Sequence, residues 1–369
     1  MSIESRPRRE TKRETKRETK REMGAEAQRA AMADRRAHFL TYHDFSRGHG
    51  LEIGPLDAGI ADAELHDVSY VDVFDTVGTR EHYDADVNVI LDLIPEIDFP
   101  LYAGGRFRTL PEATAAGAPF DWVIASHVIE HVPDVIGWLQ QIAEVTRDDA
   151  RLLLAVPDRR YCFDRHRPPT TTGQALEAHE QEATRPGSRA VYDFFRTAVN
   201  VQVGALWRGE RPPGREARMH DLPTTMANLE RARSGEYVDC HVWTFTPQSF
   251  LEQVKEWREL GLTEWYVERV DEVPRSVEFH AVLRRARRGQ AGGPALDGEP
   301  ELASDLPDWL DAEHELRAQV QELQARMRRL RKRNKELARR LQHVDVPVTT
   351  RIRRGVLRRV RAVRPTGSA

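Results

Sequence analysis

Residues 120 to 132 read FDWVIASHVIEHV. Phe120 to Ser126 form a short bounded run rich in apolar, β-branched and aromatic side chains, which predicts a β-strand. Past its end come His127, Glu130 and His131, three titratable groups where the strand runs out. From Pro133 to Val145 the spacing turns helical, with Val135, Ile136, Leu139, Ile142 and Val145 on one side. Arg151 to Val156 is the next strand, stopped by Pro157.

The same alternation extends in both directions. Upstream, Gly50-Leu51-Glu52-Ile53-Gly54 reads as a short buried strand ending in a turn, Val68 to Val73 as a second that closes on Asp72, and Glu96 to Leu101 as a third. Downstream, Thr246-Pro247 supplies an N-cap followed by a proline at the first helical position, opening a helix that ends near Gly261. Strands at 264–270 and 277–283 complete the set. Strands alternating with helices predict an α/β fold, a doubly wound, Rossmann-like, mostly parallel seven-stranded sheet.

Composition frames this domain without naming it. The 369 residues carry 40% hydrophobic and 31% charged side chains, a normal core diluted by charged extensions, and the net charge of -3 hides their uneven placement. Two distant cysteines, Cys162 and Cys240, without a CxxC pair argue against a disulfide framework or a thiolate zinc site. No run approaches the ~20 apolar residues of a spanning helix. The expectation is a cytoplasmic protein, its basic tail suited to the inner face of a membrane.

Residues 1–37 form a charged extension containing RRETKRETKRETKRE, a four-residue repeat without an apolar face. The α/β domain is expected over 38–285, with a polar, proline-punctuated insert at about 160–240 where such a fold places a lid. A linker follows at 286–307. Over 308–345, Leu316, Val320, Leu323, Met327, Leu330, Asn334, Leu337, Leu341 and Val344 alternate steps of four and three, a C-terminal coiled-coil helix. Arg326, Arg333 and Arg340 at g and Arg317 and Arg331 at e disfavour a simple parallel homodimer. The coiled-coil partner is therefore either a second copy or an acidic helix. The tail, 346–369, is basic with interleaved aliphatic residues, suited either to an anionic membrane surface or to plain solvation. A nucleic-acid partner is not expected, because the basic run follows the heptads rather than preceding them.

Three elements carry the chemistry. Gly54 ends the first strand without a side chain, where a ligand must approach backbone. Asp72 closes the second, 18 residues on, a position suited to hydrogen-bonding two ribose hydroxyls. The third is the Ser126 to His131 segment. No GxGxxG stands at the first turn, which disfavours a dinucleotide. An acid at Glu52 also suits a cofactor bearing an ammonium better than one bearing a pyrophosphate.

Together EIGP, IASHVIEHVPD, IGWL, LLLAVPDRRYCFD and HVWTFTPQSF resemble the class I S-adenosylmethionine-dependent methyltransferases, in a branch associated with bacterial surface-polysaccharide assembly. The resemblance covers about residues 45 to 285. It implies S-adenosylmethionine as cofactor and, as activity, O-methylation of a sugar or glycan intermediate. It also implies that Glu52 and Gly54 meet the amino-acid end, Asp72 the ribose, Asp98 the adenine side, and Ser126 and His127 the region of the transferred methyl. Two features depart from the family pattern: Pro55, Leu56, Asp57 and Ala58 stand before Gly59, and Arg147-Asp148-Asp149-Ala150 replaces a Pro-Gly-Gly turn.

For a hydroxyl acceptor the base is expected to be His127 or His131, with Glu130 orienting it. Two other readings of Glu130 and His131 stand beside this one, capping or packing of the following helix and a shared divalent metal. One carboxylate and one or two imidazoles are too few ligands to define a site, so no metal is expected. The alternative to an enzyme is a catalytically degenerate scaffold acting through the coiled coil and the tail.

Overall fold

The computed structural model describes residues 33, 35–210 and 216–287. The N-terminal repeat, most of the linker, the heptad segment and the basic tail lie outside the described residues.

Seven strands form one sheet in the order β3-β2-β1-β6-β7-β9-β8. They are β1 (Gly50–Ile53), β2 (Val68–Asp72), β3 (Phe99–Pro100), β6 (Phe120–Ser126), β7 (Thr146–Pro157), β8 (Trp265–Glu272) and β9 (Glu278–Arg285). β4 (Tyr102–Ala103) and β5 (Arg106–Phe107) make a separate small hairpin. β1 pairs in parallel with β2 and β6, β2 with β3, and β6 with β7, while β9 runs antiparallel to both β7 and β8. The expected mostly parallel seven-stranded sheet is present.

Side-chain alternation explains why both faces are covered. Leu51, Val123, Ala125, Leu152 and Leu154 enter one core, shared with Val135, Leu139 and Ile142 of the Val135–Glu144 helix and with Phe250 and Trp257 of the Pro247–Glu259 helix. Trp122, Ile124, Leu153 and Ala155 point the other way, onto Phe39, Phe45 and Ile60. Trp122 and Trp257 are fully buried, and truncating a core residue of that size costs about 3 to 5 kcal/mol. The close approach to Trp122 also fixes Gly50, since a Cβ there would stand 2.2 Å from the indole.

Several element ends differ from the sequence reading. The third strand, read at Glu96 to Leu101, is only the two residues Phe99–Pro100, so Asp98 precedes it instead of lying within it. β7 starts at Thr146, five residues before Arg151, because the polar Arg147-Asp148-Asp149-Ala150 stretch continues the strand. Asp149 takes the positive φ (66°) that glycine would otherwise supply, and its carboxylate pairs with Arg287 and Arg284. The Pro247–Glu259 helix begins as expected, with Thr246 accepting from the Ser249 amide.

Arg35 and Arg36, on the extension side of the boundary read at residue 38, are tied into the domain. Arg35 donates to Glu278 and to the Ser126 hydroxyl, and Arg36 to the Ile60 carbonyl and Asp62. The insert is helical at Thr172–Glu180, Ser188–Thr197, Val203–Trp207 and Leu222–Arg233. Among the described residues no helix is long and apolar enough to cross a membrane.

Candidate active site at the carboxyl edge of the sheet

In an open α/β sheet the ligand crevice lies beyond the carboxyl ends of the strands, where the strand order reverses. Here that point falls between β1 and β6. Gly54 stands at it with φ +64°, and a Cβ there would approach Val128 Cγ2 to 2.9 Å. The backbone at this position is thus open to a ligand only as glycine.

The loop after Gly54 holds its shape without further glycines in its first turn. Glu52 is 1% exposed, and its two carboxylate oxygens accept from the backbone amides of Ile60 (2.6 Å) and Ala61 (2.9 Å). Asp57 accepts from the Ile90 amide at 2.7 Å. Leu56 adopts φ +42° within this braced turn. Burial pushes the Glu52 carboxyl up to about 7, against the two amides and the nearby arginines, which hold it down. Sequence reasoning assigned Glu52 to the cofactor's amino-acid end. The structure instead folds the loop over it, with both oxygens committed to loop amides.

Asp72 is placed as expected, at the carboxyl end of β2. Among the described residues the one hydrogen bond to its carboxylate is from the adjacent Val73 amide, at 2.6 Å. Burial raises its pKa, opposed by that amide and by His82, which is the behaviour of a carboxylate short of donors. Asp98 is a correction. It is exposed, lies before β3, and accepts from the Tyr70 amide at 2.8 Å, two residues short of Asp72 in the adjacent strand. The residues level with the carboxyl edge at this position are Leu101 and Tyr102, whose amides bond to Asp72 O and Val73 O.

Beyond β6 the chain turns sharply, with His127 at φ +54° and its amide on the Ala155 carbonyl. Its Nε2 lies 2.6 Å from Glu278 Oε2 and its Nδ1 3.4 Å from Glu130 Oε1. Burial works against protonation of this imidazole, but Glu130 and Glu278 outweigh it and hold the pKa up at about 9. An imidazole already protonated at neutral pH does not accept a proton, so the geometry counts against His127 as the free base. Ser126 accepts from Arg35 at 2.6 Å, and Arg35 in turn pairs with Glu278.

Glu130 is 1% exposed, yet neither carboxylate oxygen has a hydrogen-bond partner among the described residues. His131 Nε2 and His241 Nε2 each stand 3.9 Å from its Oε1. The other nitrogens of both rings are held by carboxylates, His131 Nδ1 by Asp239 (2.8 Å) and His241 Nδ1 by Asp164 (2.5 Å). Neither Glu130 nor His131 caps the following helix. Asp134 does so, accepting from the Gly137 amide.

Sequence reasoning missed His241, Asp239, Glu278 and Arg35. His241 opens the HVWTFTPQSF run and Asp239 lies two residues before it, polar residues ahead of an apolar segment, but nothing in their spacing points across the chain to Glu130. Two arginines after β7 brace the segment around His241. Arg167 is 5% exposed and donates to Asp164 and to the His241 and Val242 carbonyls, while Arg159 donates to the Arg165 and Arg167 carbonyls.

Residues 24–224, more than half of the chain, match the model of a family described as a methyltransferase domain. The chain belongs to that family. It accordingly carries a methyltransferase domain. No curated protein matches it. Among solved structures it is similar to the mitomycin 7-O-methyltransferase MmcR (15% identity, 66% of this chain and 51% of that one, TM-score 0.31). It is also similar to an S-adenosylmethionine-dependent methyltransferase from Mesorhizobium loti (11% identity, 66% and 93%, TM-score 0.34) and to DhpI in complex with SAH (16% identity, 73% and 98%, TM-score 0.30). The chain spans about half the length of MmcR.

The methyltransferase domain fits its cofactor at two observed points. One is the glycine-only approach at Gly54, and the other is the donor-poor carboxylate of Asp72, which a ribose diol would satisfy with two hydroxyl donors.

Proposed function

We propose that this methyltransferase binds S-adenosylmethionine across the carboxyl ends of β1, β2 and β6 and methylates a hydroxyl oxygen of a sugar or glycan intermediate. The observation that carries the cofactor half is Asp72, a buried-edge carboxylate with a single donor, standing beside the switch point of the sheet. Asp72 would take the ribose hydroxyls. Gly54 would let the backbone approach the amino-acid portion, and Leu101 and Tyr102 would flank the base. Ser126 and His127 would lie along the cofactor near the sulfonium. Glu52 acts from beneath, setting the loop that the cofactor rests on.

Bound cofactor supplies the activated methyl group. The chain's own residues then have to hold the acceptor in line and take up its proton. Both rings face carboxylates through both nitrogens, His127 at 2.6 and 3.4 Å and His131 at 2.8 and 3.9 Å, so the His131–Glu130 side is the looser and leaves the more room for an acceptor hydroxyl. The His127–Glu278–Arg35 network would fix the turn after β6 and so the distance between the Gly54 loop and the acceptor. The hydroxyl preference rests on this convergence of carboxylates and imidazoles, and the glycan preference on the sequence resemblance. The coiled coil would join the domain to a second copy or an acidic helix, and the basic tail would hold it at an anionic membrane surface.

The test is transfer of a labelled methyl group from S-adenosylmethionine by the full chain to a panel of sugars, nucleotide-linked sugars, amines and carboxylates. Label recovered as a methyl ether on a sugar is the expected result. Turnover restricted to amines or carboxylates would overturn the acceptor assignment.

A further inference from the structure

Glu130 is only partly compensated by protein atoms, its nearest partner being the His127 ring, 3.4 Å from Oε1. A carboxylate at 1% exposure with no hydrogen bond to either oxygen is costly, because desolvation of an ionised group is offset only by close donors or a cation. Two imidazoles face it, but at 3.9 Å neither makes a hydrogen bond. Their orientation is set from behind. Asp239 and Asp164 accept from Nδ1 of His131 and His241, which assigns the ring proton to Nδ1 and turns the Nε2 lone pair toward Glu130. With the ring protons on Nδ1, two lone pairs and a carboxylate oxygen point at one space, an arrangement that a cation among them relieves, whether a metal ion or a proton on Nε2.

We propose that Glu130, His131 and His241 bind one divalent first-row transition-metal cation. The three donor atoms lie within 4.8 Å of one another. Donors on a tetrahedral zinc with bonds of about 2.0–2.1 Å would stand about 3.4 Å apart, so closure takes about half an ångström at the two 3.9 Å separations and up to about 1.4 Å across the donor set, within reach of side-chain rotation at the half-exposed His131. One carboxylate and two imidazoles are a donor set used for zinc with an open position and for other first-row ions. The Asp239–His131 and Asp164–His241 pairs are the carboxylate–imidazole supports that orient metal-bound histidines and raise their basicity.

The scaffold beneath the three donors is fixed. The Glu130 carbonyl accepts from the Val242 (2.7 Å) and Trp243 (3.2 Å) amides, and Trp243 Nε1 donates to the Val132 carbonyl at 2.6 Å. These bonds lace the segment after β6 to the segment before the Pro247–Glu259 helix and bring His241 opposite Glu130. Phe163 packs on the His241 ring at 4.7 Å between centroids and closes one side. His131 is 31% exposed, which leaves the other side open to an oxygen ligand. The site follows directly on the turn after β6 that borders Gly54, so an acceptor hydroxyl is a natural occupant of the open position.

The inference does not depend on methyl transfer and is tested without it. Untagged full-length protein, stripped with chelator, is titrated with Zn2+ against a chromophoric chelator and, separately, with Co2+ followed by its visible absorption. One equivalent of each ion is expected to bind. His131→Ala, half-exposed and dispensable to the core, and His241→Ala should each weaken Zn2+ binding by about 100-fold or more. Asp239→Asn should weaken it by about 10- to 100-fold. Circular dichroism of every variant establishes that it is folded. Failure of the folded wild type to bind either ion stoichiometrically would overturn the proposal, and so would equal binding by wild type and both histidine variants.

Discussion

Glu52 and Glu130 are the two glutamates buried to 1% exposure at the same edge of the sheet, and they are opposites. Both oxygens of Glu52 are met by backbone amides of the loop it supports. Neither oxygen of Glu130 is met by a protein donor, although three imidazoles surround it at 3.4 to 3.9 Å. A buried carboxylate whose partners are all local amides is part of the fold. One whose partners are turned toward it at ion-pair distance, each held from behind, is arranged for something the chain itself does not contain.

The largest effect is expected at the satisfied glutamate. Glu52→Leu strands two buried amides, each costing about 1 to 3 kcal/mol, so the variant should lose about 4 kcal/mol in denaturant unfolding. A loss below about 1 kcal/mol would mean that the loop does not depend on this carboxylate.

A second effect separates burial from hydrogen bonding at the same residue. The Glu52 carboxyl is raised from 4.5 to about 7 in the folded chain, so between those pH values the folded state holds more protons than the unfolded. Stability from this group is therefore complete below about pH 4.5 and is lost as pH rises through 7. Wild type measured against Glu52→Gln should lose about 3 kcal/mol of relative stability between pH 4.5 and 8. A flat difference would contradict the burial argument.

Asp72 offers a smaller and functional contrast, because it sits at a strand end without a core to collapse. Asp72→Ala should lower affinity for S-adenosylhomocysteine by about 100-fold, roughly 2.7 kcal/mol, and leave the melting temperature near that of wild type. The smallest effect is expected at the unsatisfied glutamate. Glu130→Gln in chelator-stripped protein breaks no hydrogen bond and leaves Glu278 to pair with His127, so it should unfold within about 1 kcal/mol of wild type. A loss approaching that of Glu52→Leu would erase the difference between the two residues.

The sheet was legible because its strands are apolar runs bounded by turn residues, and Thr246-Pro247 announced its helix through local capping chemistry. The third strand was misjudged because two residues carry no periodicity, and Asp98 was misplaced with it. β7 was read short because its first five residues are largely polar, which hydrophobic patterning cannot distinguish from a turn. The positions of Gly54 and Asp72 were legible because they follow from strand ends alone. Glu52 was given the wrong neighbours because the direction in which a loop folds back is a tertiary fact. His241 and Glu278 were invisible for the same reason. Each meets the residues after β6 from more than a hundred positions away, through backbone lacing and sheet register that no local pattern encodes.

The most direct test of the central claim is calorimetric titration of the full chain with S-adenosylhomocysteine, alongside Asp72→Ala. The account predicts saturable one-to-one binding by wild type that falls by about 100-fold in the folded variant. Equal affinity in the two proteins, or no binding by folded wild type, would contradict a cofactor site at the carboxyl ends of β1 and β2.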